Sequence, residues 1–136
     1  MSKEIVKKLI NFIKDSPTCF HAVKNMKNIL KSENFIELLE GQTWKLEKGK
    51  NYFVTRNNSS IIAFKIGENI KNYSFNIVAS HTDSPTFKLK ENAEISVDNK
   101  YIKLNTEGYG GMIVSSWFDK PLSLAGRVFI NRPDGI

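Results

Sequence analysis

The chain has 136 residues, of which 40% are hydrophobic, 25% charged and 11% aromatic, with a formal net charge of +6. Such values lie near the globular average and exclude a disordered polymer and a collagen-like chain, and no apolar run approaches the ~20 residues needed to cross a bilayer. The positive charge is spread along the chain, with 10 basic against 6 acidic residues in 1–50 and 10 against 8 in 51–136, and only three of the basic residues are arginine. A diffuse, lysine-rich surplus without a like-charge block points to neither a nucleic-acid partner nor a membrane partner.

The opening residues alternate lysine with aliphatics and never build the apolar core of a signal peptide. The single cysteine, Cys19, allows neither a disulfide framework nor a cysteine zinc cage. A cytoplasmic protein is expected. Ile5, Leu9, Phe12 and Ile13 recur at helical spacing, opposite Lys3, Lys7, Lys8, Asn11 and Lys14. Asp15-Ser16-Pro17-Thr18 ends that helix and opens another, with Ser16 or Thr18 as its cap. Phe20, Val23, Met26 and Leu30 form the apolar stripe of the second helix. His21 in its first turn reads as an ordinary helix residue, since nothing nearby completes a metal site.

Beyond Gly41 the period changes. Residues 52–55 and 61–66 read as two strands joined by a hairpin loop at 56–60. Residues 73–80 follow, and their Ile77-Val78-Ala79 centre suits a buried strand. That strand leads into His81-Thr82-Asp83-Ser84-Pro85. From Phe87 onward the pattern is β, with alternation at Ile95 and Val97 and apolar side chains at Tyr101, Ile102 and Leu104. The glycines of Gly108-Tyr109-Gly110-Gly111 precede no Gly-Lys-Ser/Thr and no helix, so they mark backbone crowding or positive φ rather than a phosphate loop. Trp117-Phe118-Asp119-Lys120-Pro121 reads as a turn backed by two aromatics, with Asp119 more naturally a turn cap than a catalytic group. Val128-Phe129-Ile130 reads as a last strand. The composition shift near Lys90-Glu91-Asn92 suggests a domain boundary, and the turn signal at 131–136 suggests the front part of a longer protein.

Among these residues, His81 and Asp83 carry the most chemistry. Ligands and metals gather outside the carboxyl ends of strands in open α/β sheets. A neutral imidazole there can bind zinc if an acceptor fixes its other ring nitrogen, and a carboxylate two residues on can supply that acceptor. The spacing alone more often produces a polar turn with no metal.

Three segments change that balance when taken in order. Ser16-Pro17-Thr18 with Phe20-His21-Ala22-Val23, then Ser80-His81-Thr82-Asp83-Ser84-Pro85, then Gly108-Tyr109-Gly110-Gly111 through Ser116-Trp117-Phe118-Asp119-Lys120 to Leu124-Ala125-Gly126-Arg127-Val128, together resemble the aspartyl aminopeptidase family. These are two-zinc cytosolic metallo-aminopeptidases. The resemblance implies an α/β fold in which 1–91 begins a mixed-sheet zinc-peptidase domain and 92–136 begins an inserted β-rich dimerisation domain. It implies His81 as a zinc ligand and Asp83 as the catalytic-site carboxylate that orients it. The family's complete site holds two zinc ions, with cobalt or manganese as substitutes, bridging a water that a glutamate deprotonates for attack on the first peptide carbonyl. Peptide substrates with acidic and, in some members, other N-terminal residues are implied, as is a homo-oligomer, a dodecamer. Met112 and Lys120 depart from the family's usual glycine and arginine, in a segment that tolerates both. The family's remaining ligands and its glutamate base lie beyond position 136, so this chain is expected to carry part of a site and to be inactive alone. The rival expectation is a non-catalytic β-rich assembly or binding module with an incomplete metal site.

Overall fold

The computed structural model describes residues 2–69, 74–133 and 135. It divides into two compact units: residues 1–83 with 125–136, and residues 84–124.

The first unit opens with α1 (Ser2–Lys14), whose Glu4 and Lys14 place opposite charges at the ends that the helix dipole favours. The Asn25 side-chain amide donates to the Asp15 carbonyl at 2.9 Å and to Ser16 Oγ at 3.1 Å, tying the corner to the next helix. That helix is α2 (Cys19–Ser32), and Thr18 caps it, its side-chain oxygen accepting from the His21 backbone N–H. The helix closes in a Schellman arrangement: Phe35 N–H bonds the Leu30 carbonyl, Asn34 N–H bonds the Lys31 carbonyl, and Asn34 takes φ 61°.

A three-stranded sheet follows in the order β1 (Ile36–Leu38), β2 (Asn51–Arg56), β3 (Ser60–Lys65), with β1 parallel and β3 antiparallel to β2. A three-residue strand is too short to show a period, and β1 was not expected. Being central, β2 carries the core: Tyr52, Phe53 and Val54 are buried, together with Ala22 and Val23 of α2. The Tyr52 ring lies 5.8 Å from that of Phe64, and its hydroxyl accepts from the Glu47 N–H at 2.9 Å. Lys27 and Lys31 of α2 both reach Glu37 of β1, at 2.5 and 2.8 Å, which fastens helix to sheet. These bonds hold the Glu37 carboxyl below its usual range, Lys27 more strongly than Lys31.

Two expected strands do not form. Residues 74–80 run without a ladder, leaving Phe75, Ile77 and Val78 exposed, the last completely, and 128–130 are likewise exposed and unladdered. An apolar β-branched run shows that a segment can be buried in a sheet; whether it is depends on a strand to pair with, and none pairs with these segments among the described residues. Tyr73 lies outside the described residues.

In the second unit, β4 (Thr86–Val97) and β5 (Tyr101–Tyr109) form an antiparallel hairpin. Both hairpins turn on paired positive-φ residues, Asn57-Asn58 and Asp98-Asn99, which asparagine and aspartate tolerate. The β4–β5 register shifts between Leu89, opposite Thr106, and Glu94, opposite Leu104. The polar residues 90–92 therefore lie in a bulge inside β4, and Asn105 holds the bulge by donating to the Asn92 carbonyl at 3.0 Å. The units separate at 83/84 and 124/125, so neither break coincides with the compositional shift at 91/92. Gly110 has φ +74°, a conformation that L side chains rarely adopt, and a Cβ there would meet Pro85 Cα at 3.4 Å, so it is the backbone conformation that calls for glycine. Trp117 packs edge-on against Phe87 with centroids 5.3 Å apart, and Asp119 sits in the following turn at φ 55°. Among the described residues no helix is long and apolar enough to cross a membrane.

Candidate metal centre

His81 and Asp83 sit on the loop after the extended segment, not at the end of a paired strand. The expected strand-end setting is therefore absent, but the expected pairing of side chains is present. His81 Nδ1 lies 3.0 Å from Asp83 Oδ1 and 2.8 Å from the Asp83 carbonyl oxygen. A carboxylate and a carbonyl only accept, so Nδ1 must donate the hydrogen. In the neutral ring Nε2 then holds the lone pair, which is the form a metal ion binds. Both side chains are open to solvent, His81 at 80% and Asp83 at 43% exposure.

The loop is tied to the sheet by its middle residue. Thr82, half-buried, donates its hydroxyl to the Ser59 carbonyl at 2.8 Å. Ser59 belongs to the β2–β3 turn, which closes through its own N–H to the Arg56 carbonyl at 3.1 Å. Arg56 is held in turn, its Nε and Nη2 both on Glu40 Oε1 at 2.7 and 2.6 Å. From another direction Arg127 donates to the Asn57 carbonyl at 2.8 Å. Its guanidinium stands 4.1 Å from the Phe20 ring centre and 4.6 Å from that of Phe129. Local patterning gave no sign of either tie, because the partners are 23 and 70 residues apart in sequence.

The other candidates are elsewhere. His21 is a half-buried first-turn residue with Nδ1 2.8 Å from Thr18 Oγ1, in keeping with its reading as a helix residue. Among the described residues no three His, Cys, Asp or Glu side chains cluster as a metal cage. The loop thus offers one zinc ligand of the three or more that a site takes: an oriented neutral imidazole with a carboxylate behind it.

A protein-family model described as aminopeptidase I zinc metalloprotease (M18) matches residues 12–136. A probable M18 family aminopeptidase 2 from Clostridium acetobutylicum is 53% identical over 128 residues, covering 93% of this chain and 30% of that protein. Aspartyl aminopeptidase 1 from Schizosaccharomyces pombe is 47% identical over 129 residues, covering 93% of this chain and 27% of that protein. Among solved structures, the cryo-EM structure of the Ape4 and Nbr1 complex superposes with a TM-score of 0.93 at 45% identity, over 98% of this chain and 26% of that one. The chain spans about 30% of the length of the curated relatives it matches.

Proposed function

Because the chain belongs to the aminopeptidase I zinc metalloprotease (M18) family, we propose that it contributes part of the active site of a zinc metallo-aminopeptidase. The activity is removal of N-terminal residues, acidic ones foremost, from peptides. The observation that carries this reading is the His81–Asp83 pair, whose hydrogen bonds leave Nε2 as the free lone pair. His81 is the zinc ligand, and Asp83 orients it and raises its basicity. Zinc, when bound, supplies Lewis acidity and lowers the pKa of water at the site. The chain's own task is to present one imidazole in the right tautomer. The other ligands and the general base come from polypeptide outside these 136 residues, which makes this chain inactive by itself.

The first unit is the beginning of the peptidase domain, and the β4–β5 hairpin unit begins the β-rich dimerisation domain. The whole protein assembles as a homo-oligomer, a dodecamer in the pattern of the family, and works in the cytoplasm. The solvent-open apolar run 74–80 supports this division, since it has the composition of a sheet strand and needs partners from the rest of such a domain.

The test is His81→Ala in the full-length protein. Activity on acidic aminoacyl substrates should fall to near background, and zinc content should drop, because an open coordination position replaces a ligand. Wild-type turnover with unchanged zinc would overturn the assignment of His81, whereas a wild-type full-length protein with neither zinc nor turnover would favour a non-catalytic assembly module.

A further inference from the structure

The loop that carries His81 and Asp83 is anchored at Thr82, between the two site residues, by a 2.8 Å bond to the Ser59 carbonyl. That carbonyl sits in a closed turn. Asn57 and Asn58 both take positive φ, the turn closes between Ser59 and Arg56, and β2 and β3 pair in register up to Arg56 and Ser60. Arg127 grips the same turn at the Asn57 carbonyl.

Resting on the metallopeptidase reading above, we infer that Thr82 is a positioning residue for the metal ligand. Its hydroxyl seats the His81–Asp83 pair on the β2–β3 turn, and Arg127 steadies that seat from the turn's first carbonyl. Neither residue touches the metal. Thr82 acts through the backbone it shares with both neighbours, and Arg127 acts through the turn. A valine at 82 has nearly the same shape and cannot donate, whereas a serine can.

The experiment uses metal-stripped full-length protein and reads zinc affinity by competition with a chromophoric chelator, alongside kcat and KM. Support around a metal ligand is typically worth about 10–100-fold in affinity or activity. Thr82→Val should weaken zinc binding about tenfold and lower kcat more than it raises KM, while Thr82→Ser should stay within about threefold of wild type on the same scale. A residue that mattered only for folding would shift thermal stability without this valine–serine split in zinc affinity. Wild-type zinc affinity in Thr82→Val overturns the inference. If Thr82→Val does not fold, Arg127→Met puts the same question to the turn, with weaker zinc binding expected and unchanged binding overturning the proposal. His81→Ala run in parallel separates the two ideas. Lost zinc there with wild-type zinc in Thr82→Val removes the positioning role alone, and unchanged zinc in His81→Ala removes the metal reading and this inference with it.

Discussion

Replacing Asp83 by asparagine preserves the shape of the side chain and removes its charge. Loss of a partner behind a metal-bound histidine costs about 10–100-fold in affinity or activity, and one feature here places the expected loss at the low end. His81 Nδ1 has a second acceptor, the Asp83 carbonyl at 2.8 Å, which the substitution leaves in place and which keeps the hydrogen on Nδ1. Asp83→Asn should therefore weaken zinc binding about tenfold, equivalent to ~1.4 kcal/mol, with the circular dichroism spectrum unchanged. The assay is zinc titration of the metal-stripped full-length protein against a chelator, paired with kcat on an acidic aminoacyl substrate. Loss far beyond a hundredfold in a folded variant would mean that the carboxylate does more than orient its neighbour. An unfolded variant would show that it is structural, and either result refutes the orienting role.

Phe53 is fully buried in the central strand, so Phe53→Ala should lower stability by about 3–5 kcal/mol in denaturant titration; a loss below ~1 kcal/mol would show that β2 does not carry the core. Glu37, held below its ordinary value by Lys27 and Lys31, contributes stability above the normal carboxylate range and loses it as pH falls through the lowered value. Glu37→Gln should then be less stable at neutral pH, by up to ~1 kcal/mol, and converge with wild type in acid, whereas an equal gap at both pH values would contradict the ion-pair account. Residues 1–136 alone, with no three-donor cluster among the described residues, should bind zinc weakly and show no turnover; zinc-dependent turnover abolished by His81→Ala would show that they complete a site unaided.

What was legible in the sequence was whatever depends on near neighbours. Pro17 and Thr18 mark the corner between the helices, Asn57-Asn58 fall within the loop read at 56–60, and the two-residue spacing allows Asp83 to serve as the acceptor for His81. The apolar runs at 74–80 and 128–130 were read as strands from composition, but pairing is a property of two segments and composition describes one. The parallel contact of β1 with β2 was hidden by its length. The ties from Thr82 to Ser59 and from Arg127 to Asn57 were hidden by sequence distance. Family motifs reach further than local patterning because they store the outcome of such long-range contacts, which the local pattern does not encode.

The bulge in β4 has a consequence for which side of the hairpin is greasy. Five steps along β4, from Leu89 to Glu94, match only two along β5, from Thr106 to Leu104, so the strand's odd–even alternation is reset. Directly paired residues share a face. Phe87 and Leu89 therefore stand on the side of Gly108 and Thr106, while Ile95 and Val97, odd-numbered like them, stand on the opposite side with Lys103 and Tyr101. One strand thus turns its apolar side chains toward one face near its base and toward the reverse face near its tip. The base already has its cover in Trp117. Because the tip's face is set by its partners Lys103 and Tyr101, deleting the three surplus residues of β4 would remove the bulge and still leave the two-faced arrangement intact.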